Sequence, residues 1–151
     1  MAMQKVTVGA ALAATLVGVI GVAMVVGLLS ASRTIPNVGN MKTVGVSVYW
    51  DRACTNGTTS INWGVLEPNT SKSFTVYVKN NGAAAEMLSL ASSNWNPSAA
   101  MSYMSLSWNC TNYVLSHESV VGAILTLTVS PNVSGITSFD FDIIITGTEQ
   151  T

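Results

Sequence analysis

Lys72-Ser-Phe-Thr-Val-Tyr-Val-Lys-Asn80 decides the fold. Phe74, Val76 and Val78 fall on one side of an extended chain, and Thr75, Tyr77 and Lys79 on the other. Period-two alternation of this kind marks a strand with one buried face. The same rhythm recurs in both directions from it. Upstream, Val44, Val46, Val48 and Trp50 alternate with Gly45, Ser47 and Tyr49, which predicts one strand from Thr43 to Trp50. Asp51 to Thr59 reads as a polar loop, Ser60 to Leu66 as a short strand, and Glu67-Pro68-Asn69-Thr70 as a turn.

Downstream, Asn80-Asn81-Gly82 turns the chain, Met87 to Ala91 forms a strand, and Asn94-Trp95-Asn96-Pro97 reads as a loop. Met104, Leu106 and Trp108 alternate, and Asn109 to Asn112 turns into a short strand at Tyr113 to Leu115. Val121 to Ser130 and Phe139 to Thr146 complete the pattern across the turn Pro131 to Gly135. About seven or eight strands with frequent turns predict an all-β, immunoglobulin-like two-sheet sandwich over residues 43–148. Ser, Thr, Asn and Val dominate this part, which agrees with an all-β domain.

The N-terminal part is of another kind. Val6 to Ser30 contains no charged residue and spans roughly 37 Å as a helix, so one N-terminal transmembrane helix is expected to precede the sandwich. Residues 1–5 are then a cytoplasmic N-terminus, and 31–42, with Pro36 and Gly39, a short tether. The expected placement is a single pass of the plasma membrane, N-terminus inside and C-terminal domain extracellular. Two other readings compete. Cleavage near Ser30-Ala31-Ser32 would make the chain a secreted protein, although the apolar run exceeds the usual signal core of about 7–15 residues. Cleavage at Lys5-Val6 would make it pilin-like, and the small-residue pairs Ala14/Gly18 and Ala23/Gly27 would allow close helix packing.

Trp63-Gly64-Val65-Leu66-Glu67-Pro68, followed by Phe74-Thr-Val-Tyr-Val-Lys-Asn-Asn-Gly82, resembles the immunoglobulin-like modules of bacterial and archaeal envelope proteins. Archaeal membrane-anchored surface proteins look most alike, including the stretches at Asn94 to Pro97 and at Gly135 to Gly147. A weaker likeness exists to TasA-type and archaeal bundling-pilus subunits. The resemblance implies a fold and a location, and its motifs are those of packing and turns.

Candidate chemistry is sparse. The single histidine, His117, stands between Ser116 and Glu118, with no nucleophile elbow or oxyanion-hole turn in the chain, so no enzymatic activity is expected. Asp140 and Asp142 share one face of the last strand and, with Asp51 or Glu118, would suit Ca²⁺. The clustered acidic loop typical of such sites is missing, so a solvated or edge-protecting face is the preferred reading and no metal or cofactor is expected. Cys54 and Cys110 form a possible disulfide; closing so long a loop would stabilise by about 3–4 kcal/mol. Asn56, Asn69, Asn109 and Asn132 head possible N-glycosylation sequons, all in turns or loops.

No basic stripe is present, so nucleic acid is excluded as a partner. The expected contacts are the lipid bilayer through Val6 to Ser30, an envelope protein or glycan, and possibly a second copy of the chain. Function is accordingly read as a non-enzymatic surface module, structural or adhesive. The alternative is a subunit of an extracellular filament, with Thr43–Trp50 as a strand able to pair with a neighbour.

Overall fold

A computed structural model describes residues 37–151, so the apolar run Val6 to Ser30 and its charged flanks lie outside the described residues. Within that span the chain forms nine strands in two sheets. They are β1 (Val38–Val44), β2 (Val46–Tyr49), β3 (Ser60–Asn62), β4 (Ser71–Asn80), β5 (Glu86–Asn96), β6 (Met104–Trp108), β7 (Val114–Leu115), β8 (Val120–Val129) and β9 (Asp140–Glu149). A short 3-10 helix, Ser98–Ser102, separates β5 from β6. One sheet runs β3-β1-β9-β5-β7 and the other β2-β4-β8-β6. All pairings are antiparallel except β1 with β9.

The alternating positions fill the space between the sheets. Val76 and Val78 of β4 and Ala123, Leu125 and Leu127 of β8 face Phe141, Ile143 and Ile145 of β9, and all are buried. A slip of one residue in the β4–β8 register, which holds from Ser71↔Thr128 to Lys79↔Val120, would turn this entire set outward. Trp63 is fully buried at one seam, where Phe74 meets it edge to face at 5.3 Å.

The strand expected from Thr43 to Trp50 is two strands in two sheets. Gly45 sits at φ +76°, and a Cβ there would come within 2.8 Å of the Gly147 carbonyl oxygen. Only glycine fits this left-handed crossing. Alternation continues across it with a change of meaning: Val44 is 59% exposed, whereas Val46 is 5% exposed.

The expected tether is also shorter. Val38–Lys42 belongs to β1, which pairs with β9 over seven residues, Val38↔Asp140 to Val44↔Thr146. Gly39 acts as a close-approach residue; a Cβ there would lie 2.5 Å from Ile143 Cδ1 and 3.0 Å from Trp63 Nε1. Just before β1, buried Asn37 donates from Nδ2 to the Gly64 carbonyl (2.8 Å) and accepts at Oδ1 from Phe139 N–H (3.1 Å). Its carbonyl accepts from Trp63 N–H (2.8 Å).

Asn94-Trp95-Asn96 is the end of β5 rather than a loop. The β5–β9 register shifts between Ser93 and Asn96, and Asn94 takes φ +53°. The extra residue re-aims the chain so that Trp95 turns inward and stacks on Phe141, ring centroids 4.0 Å apart and planes 2° from parallel.

Candidate functional site

β9 lies between β1 and β5, so Asp140 and Asp142 project from the middle of the outer face of the five-stranded sheet, not from an edge. Asp142 Oδ2 accepts from Lys42 Nζ and from Asn94 Nδ2, both at 2.6 Å. Asp140 Oδ1 accepts from Asn96 Nδ2 at 3.0 Å. The hydrogen bond from Lys42, then that from Asn94, hold the Asp142 carboxyl below the usual aspartate range. Neighbouring side chains thus hold one oxygen of each carboxylate and tie β9 to β1 and β5.

The other two acids considered for Ca²⁺ lie elsewhere. Asp51, in the β2–β3 loop, accepts from Thr55 N–H and Oγ1 and from Asn56 N–H (2.7 Å), bonds that lower its pKa and fold the loop. Glu118 follows β7 and stands 3.9 Å from His117. Among the described residues no three His, Cys, Asp or Glu come together as a metal-binding group. His117 is exposed in the β7–β8 turn, with Nδ1 against the Gly82 carbonyl and Nε2 toward Glu118.

The possible Cys54–Cys110 disulfide is not present in this structure, where both thiols are free. Cys54 follows β2 and Cys110 follows β6, the opposite edges of the four-stranded sheet. Three strand spacings, about 14 Å, separate those edges, against the roughly 7 Å limit between bonded Cα atoms. Cys110 is buried, which pushes its thiol pKa up.

Asn56, Asn69, Asn109 and Asn132 are all exposed and outside the strands. Asn109 spends Oδ1 on Ile124 N–H (2.7 Å), which ties the loop after β6 to β8.

Two features escaped the sequence reading. Glu86 is a buried carboxylate at the seam between the sheets, with Oε2 lacking a hydrogen-bond partner. Three glycines make room for it: a Cβ at Gly82 or Gly45 would come within 2.7 and 3.0 Å of Oε1, and one at Gly147 would overlap Oε2. Gly45, Gly82 and Gly147 are far apart in sequence, so only the fold reveals this cradle.

The second is the outer face of the four-stranded sheet. Ser71 and Thr128 share a hydrogen bond of 2.9 Å between hydroxyls, and Ser73 and Thr126 one of 2.8 Å. Ser105 and Ser107 of β6 stand opposite Thr128 and Thr126, so two rows of three hydroxyls cross the sheet. Strand geometry sets the grid at about 4.8 Å across and about 6.8 Å along. Farther along, Tyr49 is the cross-strand neighbour of Tyr77, and Tyr77 that of Gly122. The Tyr77 ring lies across the glycine, Cε1 3.5 Å and Cδ1 3.9 Å from where a Cβ would be. Ile124, 44% exposed, sits between the hydroxyl rows and the tyrosines. Lys79 is the one charged strand residue here, since Lys72 turns inward and donates to the Trp63 carbonyl at 2.7 Å. The clue was the run Ser71, Ser73, Thr75 at period two, matched by Thr126 and Thr128.

Scanned against protein-family models and searched against curated proteins, the chain finds no match in either comparison.

Proposed function

We propose that the chain is a non-enzymatic, membrane-anchored cell-surface module with a structural or adhesive role, held by Val6 to Ser30 and displaying an immunoglobulin-like sandwich outside the cell. The carrying observation is where the chain enters the sandwich. Asn37 is clamped by three hydrogen bonds, and β1 then pairs along its whole length with β9. Ala31 to Pro36 can span no more than about 20 Å, so the sandwich stands against the membrane with a firm attachment point. β1 runs away from that point, which leaves Gly45, the β4–β5 turn, His117 and the C-terminal end of β9 farthest from the bilayer.

The sandwich part of this reading is supported by two mainly antiparallel sheets packed face to face, with each of the eight strand-to-strand connections passing from one sheet to the other.

A filament subunit is the second reading, and one observation favours it. β7 ends after covering Glu86 and Met87, and Tyr113 and Asn112 add bonds only to Leu88, so among the described residues no strand pairs with the β5 edge beyond it, which could take an added one. The strand first expected to reach a neighbour, Thr43–Trp50, is instead paired within its own sandwich as β1 and β2.

Protease treatment of intact cells tests the surface reading. The expected result is release of peptides from residues 38–151 while the cytoplasm stays sealed. Protection until the membrane is broken would overturn it.

A further inference from the structure

We propose that the outer face of the four-stranded sheet binds a neutral polysaccharide, an inference that rests on the surface-module reading and names its partner. Its strand residues include no carboxylate, and the one cation, Lys79, stands at the end away from the hydroxyl rows. An anionic polymer would find little to pair with here, and a cationic one nothing. Hydroxyl groups both donate and accept, so they meet the hydroxyls of a sugar chain without burying an unmatched charge.

The pairs Ser71–Thr128 and Ser73–Thr126 already hold each other at 2.9 and 2.8 Å, which fixes rotamers before a ligand arrives. Preorganisation of this kind lowers the entropy cost of binding. Tyr77 supplies the complementary surface. Half-buried beside Tyr49, with one ring edge over Gly122, it brings an aromatic ring and a hydroxyl to the face, and the exposed Ile124 adds an apolar step between ring and hydroxyl rows. A pyranose has the same mixture, hydroxyl rims around an apolar C–H face. Opposite, the Asp142 network offers its ligating atoms to its own neighbours.

The full chain in detergent micelles is to be run against immobilised neutral glucans, mannan and galactan, with polyglucuronate as the anionic comparison. The expected result is retention on at least one neutral polymer that persists at high salt, because no ion pairs are involved. Tyr77→Ala and, independently, Thr126→Glu should each weaken it by at least about tenfold, with folding checked by near-ultraviolet circular dichroism. Val44→Ser, on the opposite face, should leave it unchanged. Lack of retention on every neutral polymer, retention on polyglucuronate alone, or retention that ignores both face substitutions would overturn the proposal. Cross-linking of Ser73→Cys to a second copy, with no polysaccharide bound, would reassign the face to self-association and equally overturn it. Protease release from intact cells separates the two levels: released but non-binding protein defeats only the polysaccharide inference, and unreleased protein defeats the surface reading beneath it.

Discussion

On the outer face of the five-stranded sheet, Asp142 takes hydrogen bonds from Lys42 and Asn94, and Asp140 takes one from Asn96. On the outer face of the four-stranded sheet, Ser71 pairs with Thr128 and Ser73 with Thr126 through their hydroxyls, and one edge of the Tyr77 ring lies over Gly122. Both faces obey the same rule of alternation, with polar residues outward. The first uses its polar groups to lock β1, β9 and β5 together around the point where the chain enters. The second leaves hydroxyls whose remaining donor and acceptor capacity faces solvent. Polarity alone therefore does not distinguish the two faces; what distinguishes them is that one is fastened by a charged carboxylate and its donors and the other carries neutral hydroxyl pairs.

The strongest way to break this contrast is through the bulge that serves the fastened face. Asn94 both donates to Asp142 and re-aims Trp95 into the core. Trp95→Ala is expected to lower the unfolding free energy by about 3–5 kcal/mol in urea titrations. Asn94→Val places a β-branched residue at φ +53° and removes a donor, and is expected to cost about 1–3 kcal/mol.

Lys42→Met sharpens the contrast by pH. Because the folded-state pKa of Asp142 lies below its unfolded value, the stability from ionised Asp142 is present above about pH 4 and is lost as the pH falls through the folded value. Melting curves should show the variant less stable than wild type near neutrality, with the gap closing in strong acid, where Asp142 is protonated in both. A gap of the same size at both pH values would mean that Lys42 acts through packing rather than charge.

On the open face, Ser73→Ala and Thr126→Ala are each expected to change stability by no more than about 0.5 kcal/mol, measured in the same titrations. The smallest expected effect is in thiol labelling: in the folded protein Cys54 reacts and Cys110 does not, since burial both covers the Cys110 thiol and raises its pKa. Mass spectrometry after a brief alkylation gives the answer directly.

Strands β4, β6, β8 and β9 were legible because their apolar positions keep a strict period of two against a single core. Val38–Lys42 was not, because Pro36 and Gly39 signal a break locally, while the role of Gly39 depends on Ile143 and Trp63, far away in the chain. The same holds for Gly45, which turns one alternating run into two strands of different sheets, and for Trp95, whose direction is set by one extra residue in register. The hydroxyl rows were half visible: period two in Ser71, Ser73 and Thr75 could be read, but the pairing that turns three short runs into a grid required the sheet order. The possible Cys54–Cys110 pairing was not legible either, because a cysteine count carries no information about which sheet edge each residue follows.

The measurement that reaches the central claim most directly is the sequence and mass of the N-terminal peptide of the native protein taken from its own membranes. The anchored-module reading predicts a start at Met1 or Ala2, with Val6 to Ser30 retained. A start at Val6 would contradict it in favour of a pilin-like filament subunit, and a start near Arg33 would contradict it in favour of a secreted protein.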